Sequence, residues 1–123
     1  MIFLDTNSLI RFFTKDDLKK SLLVKELLEK EKEIFIPEVV FPEIEYVLAK
    51  IYKVKRAKII TAFKFLISRP NIKLERVVKK AVELFGQTRL DMADCLIAAH
   101  CQKGKLASFD KKLLMVKGVK KYW

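Results

Sequence analysis

The chain opens with MIFLDTNSLIR (residues 1–11), and this stretch decides how the remaining sequence is interpreted. An apolar run over residues 1–4 stops at Asp5, three small polar residues follow, and apolar spacing then resumes. The pattern predicts a short buried strand that leads directly into a helix, with a carboxylate at the junction. Ligands of open α/β sheets bind at the carboxyl ends of the strands. Asp5 is therefore a candidate functional residue.

Composition predicts one globular domain over residues 1–123. Apolar residues make up 51% of the chain and charged residues 33%, a balance typical of folded rather than disordered proteins. No run approaches the ~18 uncharged apolar residues of a membrane-spanning helix. Asp5 and Arg11 interrupt what would be the apolar part of a secretory signal. We therefore expect no membrane association and a cytoplasmic location.

The cysteine pattern agrees with a reducing compartment. Cys95 and Cys101 lie six residues apart in a single predicted helix, which separates them by ~9 Å along the axis, too far for a disulfide. No pair of cysteines has metal-binding spacing, so we expect both thiols to be structural.

The charge balance points to a polyanionic partner. Lys and Arg total 26 against 15 Asp and Glu, a formal net charge of +11. Nucleic acid is the most common partner of so basic a domain. A surface rich in Lys and Glu is also typical of thermophile proteins, so charge alone does not decide function.

Hydrophobic periodicity predicts strands alternating with helices. The predicted strands after the first are residues 34–36, 72–74, 106–109 and 119–123. Helical spacing of apolar residues fills the intervals, including a leucine-rich helix from Leu18 to Leu28, a helix from Val39 to Tyr52 with Pro42 in its first position, and one ending at Gly86. Such alternation predicts an α/β fold with three layers, α/β/α, around a mostly parallel sheet of four to five strands.

Four acids are predicted to face one edge of this sheet. Asp5 and Asp110 follow strands, whereas Glu43 and Asp94 fall in the first turns of helices. Asp91 lies three residues before Asp94 and shares its helix face. Taken singly, each acid could simply cap a helix or answer a helix dipole.

Clustered carboxylates require an opposing charge. Two of them ~4 Å apart repel by about 4 kcal/mol at an effective dielectric of ~20, and several such pairs would rival a domain stability of ~5–15 kcal/mol. Oxygen ligands select hard cations, so the predicted cofactor is Mg²⁺ or Mn²⁺. A water bound to such an ion is a potential nucleophile.

The four acidic segments together resemble the motifs of PIN-domain ribonucleases, in order along the chain. They are DTN (5–7), PEIEYVL (42–48), DMADCLIAA (91–99) and SFDKKL (108–113). The resemblance is greatest to the VapC-type toxins of toxin–antitoxin pairs. It implies a metal-dependent endoribonuclease that acts on RNA, forms a homodimer, and is silenced by an antitoxin that covers the active-site groove.

Residue by residue, the resemblance makes Asp5 and Asp94 direct metal ligands, with Glu43 and Asp110 binding directly or through water. It assigns accessory roles, as a further acid or as polar residues that orient the acids, to Asp91, Thr6, Asn7 and Ser108. Arg11 matches a frequent family arginine of open role. Pro42 departs from the family, which usually has a small residue before the second acid.

Three other functions are compatible with parts of the sequence. A metal-free ribonuclease would use general acid–base groups such as His100, although a lone histidine is more often packed. A structure-specific DNA nuclease would share the metal chemistry. A basic nucleic-acid-binding module, or an inactive relative of the PIN-domain enzymes, would bind without turnover and could use the C-terminal lysines and aromatic residues. For those aromatic residues, packing in the core or between subunits is the preferred interpretation. The residues in question are Lys111, Lys112, Lys117, Lys120, Lys121, Tyr122 and Trp123.

Overall fold

Short strands alternate with helices throughout the computed structural model, which describes residues 1–123. The chain divides into two compact units, Met1–Glu75 and Arg76–Trp123, and each is described by itself. The interpretation of residues 1–123 as one domain stays a prediction. No helix combines the length and the apolar character that crossing a bilayer requires.

The N-terminal unit is built on a parallel sheet of three strands in the order β1-β2-β3. Ile2, Ile34 and Ile72 occupy the same register position across it. The elements in chain order are β1 (Ile2–Phe3), α1 (Thr6–Thr14), α2 (Leu18–Lys30), β2 (Ile34–Phe35), α3 (Val40–Tyr46), α4 (Arg56–Ser68) and β3 (Ile72–Lys73).

The apolar residues of the central strand anchor this unit. Ile34 and Ile36 are fully buried, and Ile34 donates its backbone N–H to the Asn71 carbonyl at 2.9 Å. Phe41 on α3 and Phe63 on α4 are also fully buried, with their ring centroids 5.3 Å apart. The core of the unit therefore joins β2 to the two helices that follow it.

The helix predicted from Val39 to Tyr52 forms with a change of geometry. α3 begins at Val40, so Pro42 is its third residue, whereas the prediction placed Pro42 in the first position. The missing N–H of Pro42 is still harmless there, because the N–H groups of a first turn have no partners inside the helix. Beyond Tyr46 the chain continues as a π-helical turn, Val47–Ile51.

The face of α2 that packs against the core is not the one that the spacing of its leucines predicts. Leu18, Leu22 and Leu23 are exposed. The buried residues of the helix are Ser21, Val24 and Leu28. The leucines span more of the helix circumference than the core can cover, so part of the apolar stripe faces outward.

The C-terminal unit consists of two packed helices and a small parallel sheet. Its elements are α5 (Arg76–Gln87), α6 (Met92–His100), a 3₁₀ turn (Cys101–Lys103), β4 (Lys105–Leu106), α7 (Lys111–Leu114) and β5 (Lys120–Lys121). Leu106 pairs in register with Lys121. The helix α5 continues through Gly86 to Gln87, so the prediction that Gly86 ends this helix was wrong.

The α/β class and the parallel pairing are confirmed, whereas the strands are shorter than predicted. Five strands pair as one sheet of three and one sheet of two. Each contributes only two residues, because the backbone leaves the ladder almost immediately to enter a loop or a helix. The segment predicted as a strand over residues 106–109 pairs only at its start, so Asp110 lies four residues beyond β4.

Candidate active site

Asp5 is fixed at the junction between β1 and α1. It is the N-cap of α1, and its Oδ1 accepts a hydrogen bond from the Ser8 backbone N–H at 2.9 Å. This bond is the main reason that the pKa of Asp5 lies below its usual value. The side chain is therefore held in place and ionised at neutral pH, as a metal ligand must be.

Thr6 connects this junction to Glu43. The Thr6 hydroxyl Oγ1 donates a hydrogen bond to Glu43 Oε1. Thr6 is the first residue of α1, whereas Glu43 lies in the first turn of α3. The contact brings the carboxylate of Glu43 next to the residue that follows Asp5. Two acids that are 38 positions apart in sequence are thereby placed at neighbouring helix starts.

A groove of about 600 Å³ runs beside Thr6 and Glu43. Asn7 and Arg11, one helical turn apart on α1, form part of its wall. The opposite wall is largely apolar and includes the exposed Tyr46. The groove thus combines a carboxylate, polar groups and an aromatic surface.

A polar network at the edge of the groove was not predicted from the sequence. Asp16 Oδ2 accepts from Arg11 Nη1 at 2.8 Å and from the Tyr52 hydroxyl at 2.6 Å, while Asp16 Oδ1 accepts from Thr14 Oγ1 at 3.1 Å. Tyr52, Arg11 and Thr14 together lower the pKa of Asp16 from 3.8 to about 2. Asp16 raises the pKa of Tyr52 in return. The network links the end of α1 to the residue that follows the π-helical turn.

The sequence offered one partial signal for this network. Asp16 and Asp17 both directly precede α2, and aspartate is a common helix cap. The structure gives the cap position to Asp17, which accepts from the Lys20 N–H at 3.1 Å. Asp16 is consequently left for a different partner. The pairing of Asp16 with Tyr52 spans 36 positions, so local spacing could not have revealed it.

The C-terminal unit holds three acids around the start of α6. Asp91 is the N-cap of α6 and accepts from the Asp94 N–H through Oδ1 at 2.8 Å. Asp110 is the N-cap of α7 and accepts from the Leu113 N–H at 3.1 Å. Ser108 Oγ accepts from the Asp110 N–H at 3.0 Å. The capping roles weighed for Asp91 and Asp110 are therefore confirmed.

Asp94 has the least favourable electrostatic environment of these acids. It is half-buried in the first turn of α6. Its pKa is raised chiefly by burial, and further by the negative charges of Asp91 and Asp110. Both neighbours use only one carboxylate oxygen, Oδ1, for their caps. Their remaining oxygens suit a cation that would offset the repulsion at Asp94.

The donors of both units fit a hard divalent cation, although neither unit provides a complete site by itself. The acids are carboxylates held at helix starts, and oxygen donors of this kind are the ligands that Mg²⁺ prefers. In neither unit do three or more His, Cys, Asp or Glu side chains form a group that could hold a metal ion. A shared site for Asp5, Glu43, Asp94 and Asp110 stays a prediction.

The structure also locates the cysteines, the histidine and the C-terminal aromatic residues that the sequence analysis considered. Cys95 is buried and Cys101 is partly exposed, and neither forms a disulfide. His100, expected to be packed, is exposed at the end of α6. Tyr122 and Trp123, expected to pack in the core or between subunits, are exposed in the single chain and so do not pack in its core.

The Asp16 network predicts a specific pH dependence of stability. Because the folded state lowers the pKa of Asp16 from 3.8 to about 2, its ionised form contributes stability above about pH 4 that is lost as the pH falls toward 2. Asp16→Asn should therefore lower the midpoint of thermal unfolding at neutral pH, and the difference from wild type should shrink between pH 4 and pH 2. A difference that stays constant over this interval would contradict the role of the network.

Comparison with known proteins agrees with the resemblance in the acidic motifs. Residues 2–119 match the family model of the PIN domain. A VapC ribonuclease of Aquifex aeolicus (strain VF5) is 27% identical over 108 residues, which cover 84% of this chain and 80% of that protein. The family match includes every acid described above and nearly the whole chain. The chain therefore belongs to the PIN domain family.

Proposed function

We propose that the protein is a metal-dependent endoribonuclease that hydrolyses RNA phosphodiester bonds. The observation that carries the proposal is the environment of Asp94, a half-buried carboxylate whose pKa is raised by burial and by Asp91 and Asp110. A fold gains nothing from that repulsion unless a cation offsets it. The membership in the PIN domain family and the net charge of +11 support a cationic nuclease.

The proposed metal residues are Asp5, Glu43, Asp94 and Asp110. Asp5 and Asp94 would bind Mg²⁺ or Mn²⁺ directly, and Glu43 and Asp110 directly or through water. When bound, the ion would stabilise the developing charge on the phosphate and lower the pKa of a water nucleophile.

The chain's own residues prepare the site in three ways. The caps at Asp5 and Asp110 fix their carboxylates before any ligand arrives, so little side-chain freedom is lost on binding. Thr6 holds Glu43 by a hydrogen bond, and Ser108 holds the backbone N–H of Asp110. The excess of Lys and Arg raises the local concentration of the polyanionic substrate. Asp91 and Asn7 complete the set of accessory residues.

The biological role we propose is that of the toxin in a toxin–antitoxin pair. The relative from Aquifex aeolicus is named a VapC ribonuclease, which supports RNA as the substrate and an antitoxin as the partner. The groove beside Glu43 is the surface that the antitoxin would cover. We further propose a homodimer in the cytoplasm.

A nucleic-acid-binding module without turnover is the second candidate. The observation that favours it is the capping role of Asp5, Asp91 and Asp110, since a cap alone is reason enough for an aspartate at these positions. The two candidates differ in whether bound RNA is cut in the presence of Mg²⁺ or Mn²⁺.

Replacing single carboxylates separates capping from catalysis. Asparagine caps helices about as well as aspartate, so Asp5→Asn should keep the fold but lower the rate of RNA cleavage by more than about 100-fold, because even outer-shell changes at metal sites cost roughly 10–100-fold. Asp94→Asn should have the same effect. The measurement is cleavage of a labelled RNA in Mg²⁺ or Mn²⁺, with circular dichroism to verify the fold.

Asp17→Asn is the matched control, because Asp17 caps α2 in the same manner and lies outside the proposed site. It should retain full activity. Full activity in Asp5→Asn or Asp94→Asn would refute the proposed chemistry, and cleavage that survives EDTA would favour a metal-free enzyme. Parallel assays on single-stranded DNA distinguish the proposed ribonuclease from a DNA nuclease, which would cut the DNA instead.

Metal binding should also be visible as a change in stability. In EDTA, Asp94→Asn should unfold at a higher temperature than wild type, because it removes a half-buried charge that two neighbouring acids repel. In millimolar Mg²⁺, the wild type should gain stability through binding, and the variant should gain less. Equal shifts in both proteins, measured by differential scanning calorimetry, would exclude Asp94 as a ligand.

A further inference from the structure

Three aromatic side chains form an exposed cluster in the C-terminal unit. The rings of Phe109 and Trp123 stack with centroids 4.6 Å apart and planes 11° apart. Tyr122 contacts Trp123 edge-on at 5.6 Å. Phe109 is 87% exposed, and Tyr122 and Trp123 are each 65% exposed. Large apolar side chains that remain exposed together are typical of binding surfaces.

Backbone pairing, not chance contact, brings these rings together. β4 and β5 run parallel with Leu106 opposite Lys121, and the Tyr122 N–H donates to the Leu106 carbonyl at 2.9 Å. Trp123 therefore continues alongside the segment that leads from β4 to Phe109. The stack is part of the fold of this unit, so its rings are already oriented before a ligand binds.

The charge around the cluster identifies the kind of partner. Residues 101–123 contain seven lysines and one acid, Asp110, a net charge of +6 from these residues. The sheet strand that precedes Tyr122 consists of two exposed lysines, Lys120 and Lys121. A surface that combines stacked aromatic rings with lysines matches the requirements of single-stranded nucleic acid, whose bases stack on aromatic rings and whose phosphates bind cations.

The position of Phe109 ties this surface to the candidate active site. Phe109 directly precedes Asp110, the cap of α7 and a proposed metal residue. A base that stacks on Phe109 would therefore lie on the residue that is adjacent to Asp110 in the chain. Asp110 is the single acid in this otherwise basic segment. A carboxylate repels phosphates, so RNA binding alone does not account for an acid beside the rings.

We propose that Phe109 and Trp123 form a stacking platform for an unpaired base of the RNA substrate, with Lys120 and Lys121 binding the adjacent phosphates. The proposal rests on the proposed function, because it assigns the substrate as single-stranded RNA at that same site. Bases in a duplex are covered by their neighbours, so the platform selects unpaired nucleotides.

Trp123 provides a direct probe, because it is the single tryptophan of the chain. The experiment titrates the full-length protein with an oligoadenylate of about ten nucleotides in EDTA, where no metal-dependent cleavage occurs, and follows tryptophan emission. We expect saturable quenching by the single strand and little by a duplex with oligouridylate. Anisotropy of a fluorescein-labelled oligoadenylate gives the affinity independently, including for Trp123→Ala.

Phe109→Ala and Trp123→Ala should each weaken binding by about tenfold, the usual effect of losing one base-stacking ring. Met115→Ala is the matched control, because Met115 is equally exposed and apolar but carries no ring, and it should bind like wild type. All these side chains are exposed, so folding is expected to be unaffected, as circular dichroism verifies.

The outcomes separate this proposal from the proposed function. Quenching without any cleavage in Mg²⁺ or Mn²⁺ would support the platform and contradict the nuclease. Cleavage by a protein whose Phe109→Ala variant binds as tightly as wild type would overturn the platform and leave the nuclease intact. Emission that changes with protein concentration in the absence of RNA, without response to RNA, would assign the rings to a contact between subunits and overturn the platform.

Discussion

The burial of the Asp94 carboxylate next to two other acids is the constraint from which the functional account follows. Burial first, and then the negative charges of Asp91 and Asp110, disfavour the charged form of this carboxylate and raise its pKa. Asparagine at these positions would relieve the repulsion and still cap the helices at Asp91 and Asp110. A cation bound among these acids would offset the cost in free energy, whereas without a cation the arrangement destabilises the fold.

Helix capping and metal binding use the same aspartates without conflict. Asp5, Asp91 and Asp110 each accept one backbone N–H at the start of a helix, and the helix dipole favours a negative charge there. The cap fixes the orientation of the carboxylate, so an acid that stabilises its helix is also positioned for a ligand. For this reason, an observed cap does not argue against a functional role at the same residue.

Local features of the fold were predictable because they depend on neighbours in sequence. The strand before Asp5 and the caps at Asp5 and Asp91 follow from apolar runs and from acids just before helices. The orientation of α2 was not predictable, because leucines such as Leu22 can face either the core or the surface. The network of Asp16 with Tyr52 and the stack of Phe109 on Trp123 depend on contacts between segments distant in sequence. No local pattern encodes such contacts.

For the candidate site, the sequence predicted which acids to consider but not the contacts that hold them. The identity of the acids follows from ordered motifs that span almost the whole chain, and the structure gives each acid a defined local environment. The contact between Thr6 and Glu43 joins two of these motifs within the N-terminal unit. In the C-terminal unit, the pKa of Asp94 is raised chiefly by burial and further by the nearby charges of Asp91 and Asp110. The hydrogen bonds that fix the acids, unlike the identity of the acids, follow only from the three-dimensional structure.

The most direct test of the central claim is a crystal of the wild-type protein soaked in Mn²⁺, with anomalous scattering used to locate the ion. The account predicts an anomalous peak within coordination distance of carboxylate oxygens from Asp5 and Asp94, with Asp110 and Glu43 bound directly or through water. A fully occupied Mn²⁺ elsewhere on the protein, with Asp5 and Asp94 too far apart to share an ion, would contradict it.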